Sequence, residues 1–159
     1  MADTDDDMLI GQIAQGEILP KVIQCVGEKD FSVFVPALRA LGNILTTNDH
    51  EIIERALFEG ALDKLTTILY SPNANLIKEV CWALSNITAG PASHITQLIE
   101  SSAFDRIFFL SKSYNIDHRK EALWVICNAI TGGDQLIREK ILQFNNGEVL
   151  DILSQGLKL

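Results

Sequence analysis

Glu79-Val80-Cys81-Trp82-Ala83-Leu84-Ser85-Asn86-Ile87 is the stretch that decides the fold of this chain, because it occurs three times in related form. Pro36-Ala37-Leu38-Arg39-Ala40-Leu41-Gly42-Asn43-Ile44 precedes it, and Glu121-Ala122-Leu123-Trp124-Val125-Ile126-Cys127-Asn128-Ala129 follows it. The asparagines fall at 43, 86 and 128. A second signal follows each stretch: Thr46-Thr47-Asn48, Thr88-Ala89-Gly90 and Thr131-Gly132-Gly133. These read as helix stops, made by residues that tolerate a left-handed turn.

A period of about 42 residues without strand-like alternation belongs to the armadillo and HEAT class of stacked helical repeats. The expected fold is therefore all-α, an armadillo-repeat right-handed solenoid of about three three-helix repeats and two helices of a fourth. Repeats are expected over residues 5–47, 48–90 and 91–133, with a partial repeat over 134–159. The first repeat would place helices near Met8–Gln15, Ile18–Val26 and Val33–Leu45. The second would use Glu51–Phe58, Leu62–Leu69 and Leu76–Thr88; the third Ser93–Glu100, Phe104–Leu110 and His118–Ile130. Gln135–Phe144 and Val149–Leu157 open the fourth, whose third helix is missing. A repeat cannot bury its apolar face unaided, so the chain reads as a piece of a longer solenoid whose exposed ends associate at high concentration.

Composition narrows the function. Apolar residues make up 47% and no apolar run approaches the ~18 residues of a membrane span. The start, Met1-Ala2-Asp3-Thr4-Asp5-Asp6-Asp7, is acidic and unlike a secretory signal. Cys25, Cys81 and Cys127 are odd in number, lack CxxC spacing and sit in apolar helical stretches. They read as small hydrophobes in a reducing compartment, the cytosol or nucleus. A net charge of -8 argues against a nucleic-acid partner and admits a basic one.

The third helix of the second repeat carries the chemistry. At about 100° per residue, Ile77, Val80, Leu84 and Ile87 form one apolar seam, and Trp82 lies roughly opposite, about 160–200° away from Val80 and Leu84. Asn75, Lys78, Glu79, Ser85 and Asn86 stand beside the indole. Trp124 repeats the arrangement with Asp117, Lys120, Glu121, Cys127 and Asn128, while the first repeat has Arg39 in the tryptophan position and keeps Asn43. A tryptophan in a helix is ordinarily core. Packing does not demand that an amide recur one turn after it.

Stacked helices lie about 8–10 Å apart, and an extended peptide advances about 3.3 Å per residue. Amides from Asn43, Asn86 and Asn128 could therefore pair with the N–H and C=O groups of such a peptide. A lysine or arginine stem fits between Trp82 and Trp124, its CH₂ groups on indole and its charge at the rim. Glu79, Glu121 and Asp49 are candidates to meet the cationic heads. Arg39 would shape one end of the slot, either by repelling a cation or by fixing an acidic neighbour.

These residues resemble the importin alpha (karyopherin alpha) family, armadillo-repeat adaptors of nuclear import whose third helices carry Trp-x-x-x-Asn repeats along a concave groove. The resemblance rests on Trp82…Asn86, Trp124…Asn128 and the Pro36-to-Ile44 run, which is similar to the repeat before the family's minor signal-binding site. It implies binding of Lys/Arg-rich nuclear localisation signals on cargo proteins, and residence in cytoplasm and nucleus. By position it implies that Arg39, Asn43, Thr46, Asp49, Asn75, Glu79, Trp82, Ser85, Asn86, Glu121, Trp124 and Asn128 line that minor groove. It also implies that the full-length protein binds importin beta through a segment absent from this chain. Thr47 departs from the family's usual glycine and Cys127 from a small polar residue, which suggests altered preference.

Other signals carry little. Asn86-Ile87-Thr88 matches a glycosylation acceptor but lies on a helix with no secretory context. His50, His94 and His118 lack metal spacing. No phosphate loop, cofactor motif or nucleophile grouping is present, so neither catalysis nor a bound metal is expected. The rival reading is an armadillo scaffold of adhesion or signalling that holds a non-signal extended partner.

Overall fold

A computed structural model describes residues 8, 11, 12 and 16–156. Only Met8, Gly11 and Gln12 of the helix expected over Met8–Gln15 fall among them; all three are helical. The first repeat continues with α1 (Ile18–Cys25) and α2 (Phe31–Ile44). The second has α3 (His50–Phe58), α4 (Ala61–Ile68) and α5 (Ala74–Thr88). The third has α6 (Ala92–Ile99), α7 (Ser102–Leu110) and α8 (Ile116–Gly132). Then come α9 (Gln135–Gln143), a 3-10 turn over Phe144–Gly147 and α10 (Glu148–Gly156).

The third helices α2, α5 and α8 stack in a row, each packed on the next. Their N-termini share one local device. Asp30, Asn73 and Asn115 cap α2, α5 and α8 by accepting from the N–H two residues on. Ser71 and Ser113 in turn accept the N–H of Asn73 and Asn115 at 3.1 Å. The interval between repeats thus begins at a fixed, hydrogen-bonded point.

The seam read from the sequence is the core. Ile77, Val80, Leu84 and Ile87 are buried, as are their counterparts Phe34, Ala37, Leu41 and Ile44 on α2. On α8 the register gives Ala122, Ile126 and Ala129, also buried, but its first position is Arg119. Burying a leucine or isoleucine of this kind contributes about 1.5–3 kcal/mol, so each stacked pair holds without a long-range sheet. Cys81 is part of this core, and burial, with a smaller push from the Glu121 carboxylate, raises its thiol to about 12. It is a hydrophobe at any ordinary pH. Cys25 and Cys127 are half-buried.

The helix stops differ in mechanism from the expectation. Leu45, Ala89 and Gly133, which end α2, α5 and α8, all have negative φ. The work is done by threonine: Thr46, Thr88 and Thr131 donate their hydroxyls back to the carbonyls of Asn43, Ser85 and Cys127. The hydroxyl is a second donor to a carbonyl that already accepts a backbone N–H, as at Asn43 and Ser85, and none of these three helix ends uses a left-handed residue. Left-handed backbone occurs elsewhere, at Gly27, Gly60 and the Asn145-Asn146-Gly147 turn.

Side chains tie each repeat to its neighbour. Arg106 donates to the Leu69 carbonyl, Lys140 to Glu100, and Lys112 to Glu148, across 36 to 40 residues of sequence. His94 is a buried polar residue, 1% exposed, with Nδ1 unbonded among the described residues. Burial holds its pKa below the ordinary 6.5, reinforced by the nearby His50 ring and opposed by Glu54. The unfolded chain therefore binds this proton more readily, and stability is full above about pH 6.5 and is lost as pH falls toward the depressed value. The unfolding temperature is expected to drop between pH 7 and pH 5, and His94→Leu to flatten that drop. Unchanged pH dependence in the variant would refute the assignment.

Candidate functional site

The two indoles emerge from adjacent third helices, α5 and α8, but their surroundings differ. Trp124 is 61% exposed. Trp82 is half-buried, the Cζ3 edge of its ring set against Gly42 on α2. A β-carbon at Gly42 would stand 2.3 Å from Cζ3 of that ring. Only glycine lets the edge of the indole come this close to the preceding helix, and the residue in the equivalent position on α5 is Ser85. Sequence reading put Trp82 on a polar face; the structure half-buries it and sets the edge of its six-membered ring against Gly42.

The asparagine ladder is also partly used in stacking. Asn86 donates through Nδ2 to the Gly42 carbonyl at 3.4 Å, and Asn128 to the Ser85 carbonyl at 3.1 Å. Each amide keeps its oxygen and its second N–H for another partner. Asn43 is exposed and its amide is unbonded among the described residues. Asn86 and Asn128 therefore join two tasks: they fix the register of neighbouring helices and present an acceptor beside each indole.

Of the acidic candidates, Glu79 is engaged. Arg39 reaches across from α2 to its Oε1 at 3.5 Å. This is the second of the two roles open to Arg39 from sequence, the fixing of an acidic neighbour. Lys78 and Asp117 make a looser pair, 3.9 Å apart, between α5 and α8. Glu121, half-buried one turn before Trp124, has no ion pair among the described residues.

The remaining candidates lie at the ends of this row. Asn75 is exposed on the first turn of α5, and Thr46 is exposed at the end of α2. Asp49 is exposed but uses an oxygen to cap α3 through the Glu51 N–H. Thr47 is buried and its hydroxyl accepts the Asp49 N–H, so this departure from glycine sits under the surface. Ser85 is 8% exposed, and its hydroxyl donates to the Trp82 carbonyl. It is floor beneath the rung rather than a projecting group. Sequence reading left open which acid Arg39 would hold, and missed the pairing of Lys78 with Asp117 and the contact between Gly42 and Trp82. Opposite charges 40 residues apart, as in Arg39 and Glu79, were the available sign of such pairs.

Row, caps and repeated indole–amide pairs define an armadillo-repeat solenoid. The model for the Armadillo/beta-catenin-like repeat family matches residues 51–89. Structural neighbours agree. A designed armadillo repeat protein in complex with peptide (KR)4 superposes with a TM-score of 0.79 at 26% identity, over 96% of this chain and 68% of that one. Computationally designed armadillo repeat proteins for modular peptide recognition give 0.81 at 25% identity, over 94% and 60%.

Within that class the sequence is importin alpha-like. Importin subunit alpha-1b of Oryza sativa subsp. japonica is 32% identical over 140 residues, covering 87% of this chain and 26% of its own length. Importin subunit alpha-8 of Arabidopsis thaliana is 30% identical over 146 residues, covering 91% and 33%. The matches span between a fifth and a third of these and similar relatives, such as Importin subunit alpha-2 of Oryza sativa subsp. japonica at 20%.

Proposed function

We propose that the row of third helices binds an extended lysine- or arginine-rich peptide of the nuclear localisation signal type, as part of an import adaptor moving between cytoplasm and nucleus. The observation that carries this is the exposed Trp124 beside an unpaired Glu121, one helix from Trp82. A cationic side chain entering there gains a ring face for its stem and a carboxylate for its charge. Asn86 and Asn128, already locked to the helix before, offer fixed acceptors to the peptide N–H groups. The likeness to importin subunits alpha and to a design holding (KR)4 supports the same class of ligand. The twelve residues named from sequence remain the proposed site, with Ser85 acting from beneath.

The test is a titration of the chain with a fluorescent Lys/Arg-rich peptide and an acidic one of equal length. The basic peptide is expected to bind, more weakly as salt rises; equal binding of both would end the reading and favour a general scaffold. A second expectation concerns Arg39. Because it holds Glu79, Arg39→Gln should free that carboxylate and tighten basic-peptide binding, by a few-fold given the modest worth of exposed pairs, about 0.2–1 kcal/mol. Weaker binding in that variant would show that Arg39 orders the slot rather than competing for it.

A further inference from the structure

Arg119 stands where the other third helices are apolar. Counting back from the ladder asparagines, its counterparts are Phe34 on α2 and Ile77 on α5, both 5% exposed. Here a guanidinium takes the seam position, and its Nε is buried without a hydrogen-bond partner among the described residues. Nor does it make an ion pair among the described residues. A donor hidden from water and left unbonded costs free energy, so its retention asks for an acceptor.

Arg119 lines a cavity of about 300 Å³ between the start of α8, the end of α7 and α10. The other charges there are settled. Lys112 lies 4.4 Å over the Phe108 ring and binds both Glu148 oxygens, at 3.2 and 3.1 Å. The Ser111 hydroxyl donates to the Phe108 carbonyl. Asp151 is exposed, so water screens it. What stays unmet is the guanidinium. A planar monoanion matches its fork of donors, and it brings less negative charge toward Glu148 and Asp151, which also line the cavity, than a phosphate dianion would.

We propose that this cavity is a carboxylate-binding site, with Arg119 as its donor, separate from the indole ladder. The carboxylate comes either from a small organic acid or from an acidic side chain of a bound polypeptide. The side-chain Nε–H resonance of Arg119, identified by its loss in Arg119→Met, reports on both. Acetate and a capped glutamate tripeptide are titrated into the full chain at constant ionic strength, with acetamide and the capped glutamine tripeptide as controls. A saturable shift is expected for an acid, at least about tenfold tighter than for its amide. Saturation by both acids assigns a general carboxylate site; saturation by the tripeptide only assigns the polypeptide source.

Absence of saturation up to about 50 mM, or equal response to the amides, overturns the proposal. Arg119→Ile supplies the structural control, since it restores the residue type of the other repeats. It should raise the unfolding temperature and leave basic-peptide binding unchanged. A glutamate tripeptide that binds this variant as it binds the parent chain also overturns the assignment. Neither result touches the reading of the indole ladder.

Discussion

Trp124→Ala is expected to weaken binding of a Lys/Arg-rich peptide by about 1–2 kcal/mol, roughly five- to thirtyfold in Kd, with little change in stability. The two halves of that statement have separate grounds. Trp124 is 61% exposed, so truncating it uncovers little core. What it loses is the ring face on which a cationic stem would lie, together with the attraction between that face and the charge, beside the unpaired Glu121. Combined with Trp82→Ala, most binding should go. Fluorescence titration measures the first half and thermal unfolding the second. A variant of ordinary stability that binds the basic peptide as well as the parent would remove the ladder from the proposed site.

Gly42→Ala should destabilise the chain, against the rule for helices. Alanine in a helix interior is ordinarily better than glycine by about 0.5–1 kcal/mol. Here its β-carbon would lie 2.3 Å from the Trp82 ring, a rigid, half-buried group and not the tip of a flexible chain. Overpacking of this kind costs about 1–3 kcal/mol, so the net sign is negative and the indole must lift. The decisive measurement is a double-mutant cycle. In a Trp82→Ala background the clash is gone, and Gly42→Ala should then stabilise. If the substitution has the same sign in both backgrounds, the ring does not rest on Gly42. Peptide binding should fall with Gly42→Ala as well, because the wall of the slot has moved.

The fold was largely legible because each repeat states its register twice, once in the apolar seam and once in the asparagine. The seam positions Ile77, Val80, Leu84 and Ile87 could be read by periodicity and are all in the core. Helix ends were less legible in mechanism: Thr46 and Thr88 mark them, but as donors to carbonyls rather than as partners to a left-handed turn. The candidate site was legible as a set of residue types and not as a set of contacts. No single repeat shows that Asn86 bonds to Gly42 or that Arg39 holds Glu79, since both partners lie one whole period away. Ser85 illustrates the limit. Its spacing places it beside the indole, yet an inward tilt of a few tens of degrees is enough to turn a lining group into floor. Arg119 was hidden for the opposite reason: basic residues are common on helices, and only alignment with Phe34 and Ile77 shows that this one occupies a core position.

The cross-links between repeats reach one period, from Asn86 to Gly42, Asn128 to Ser85, and Lys140 to Glu100. A molecule joined only to its immediate neighbours responds to tension like a chain of clasps. Pulled from its two termini, it should yield in successive steps of about one repeat each, every clasp opening at its own force. An extended ligand lying across several clasps would be the one element able to share the load among them.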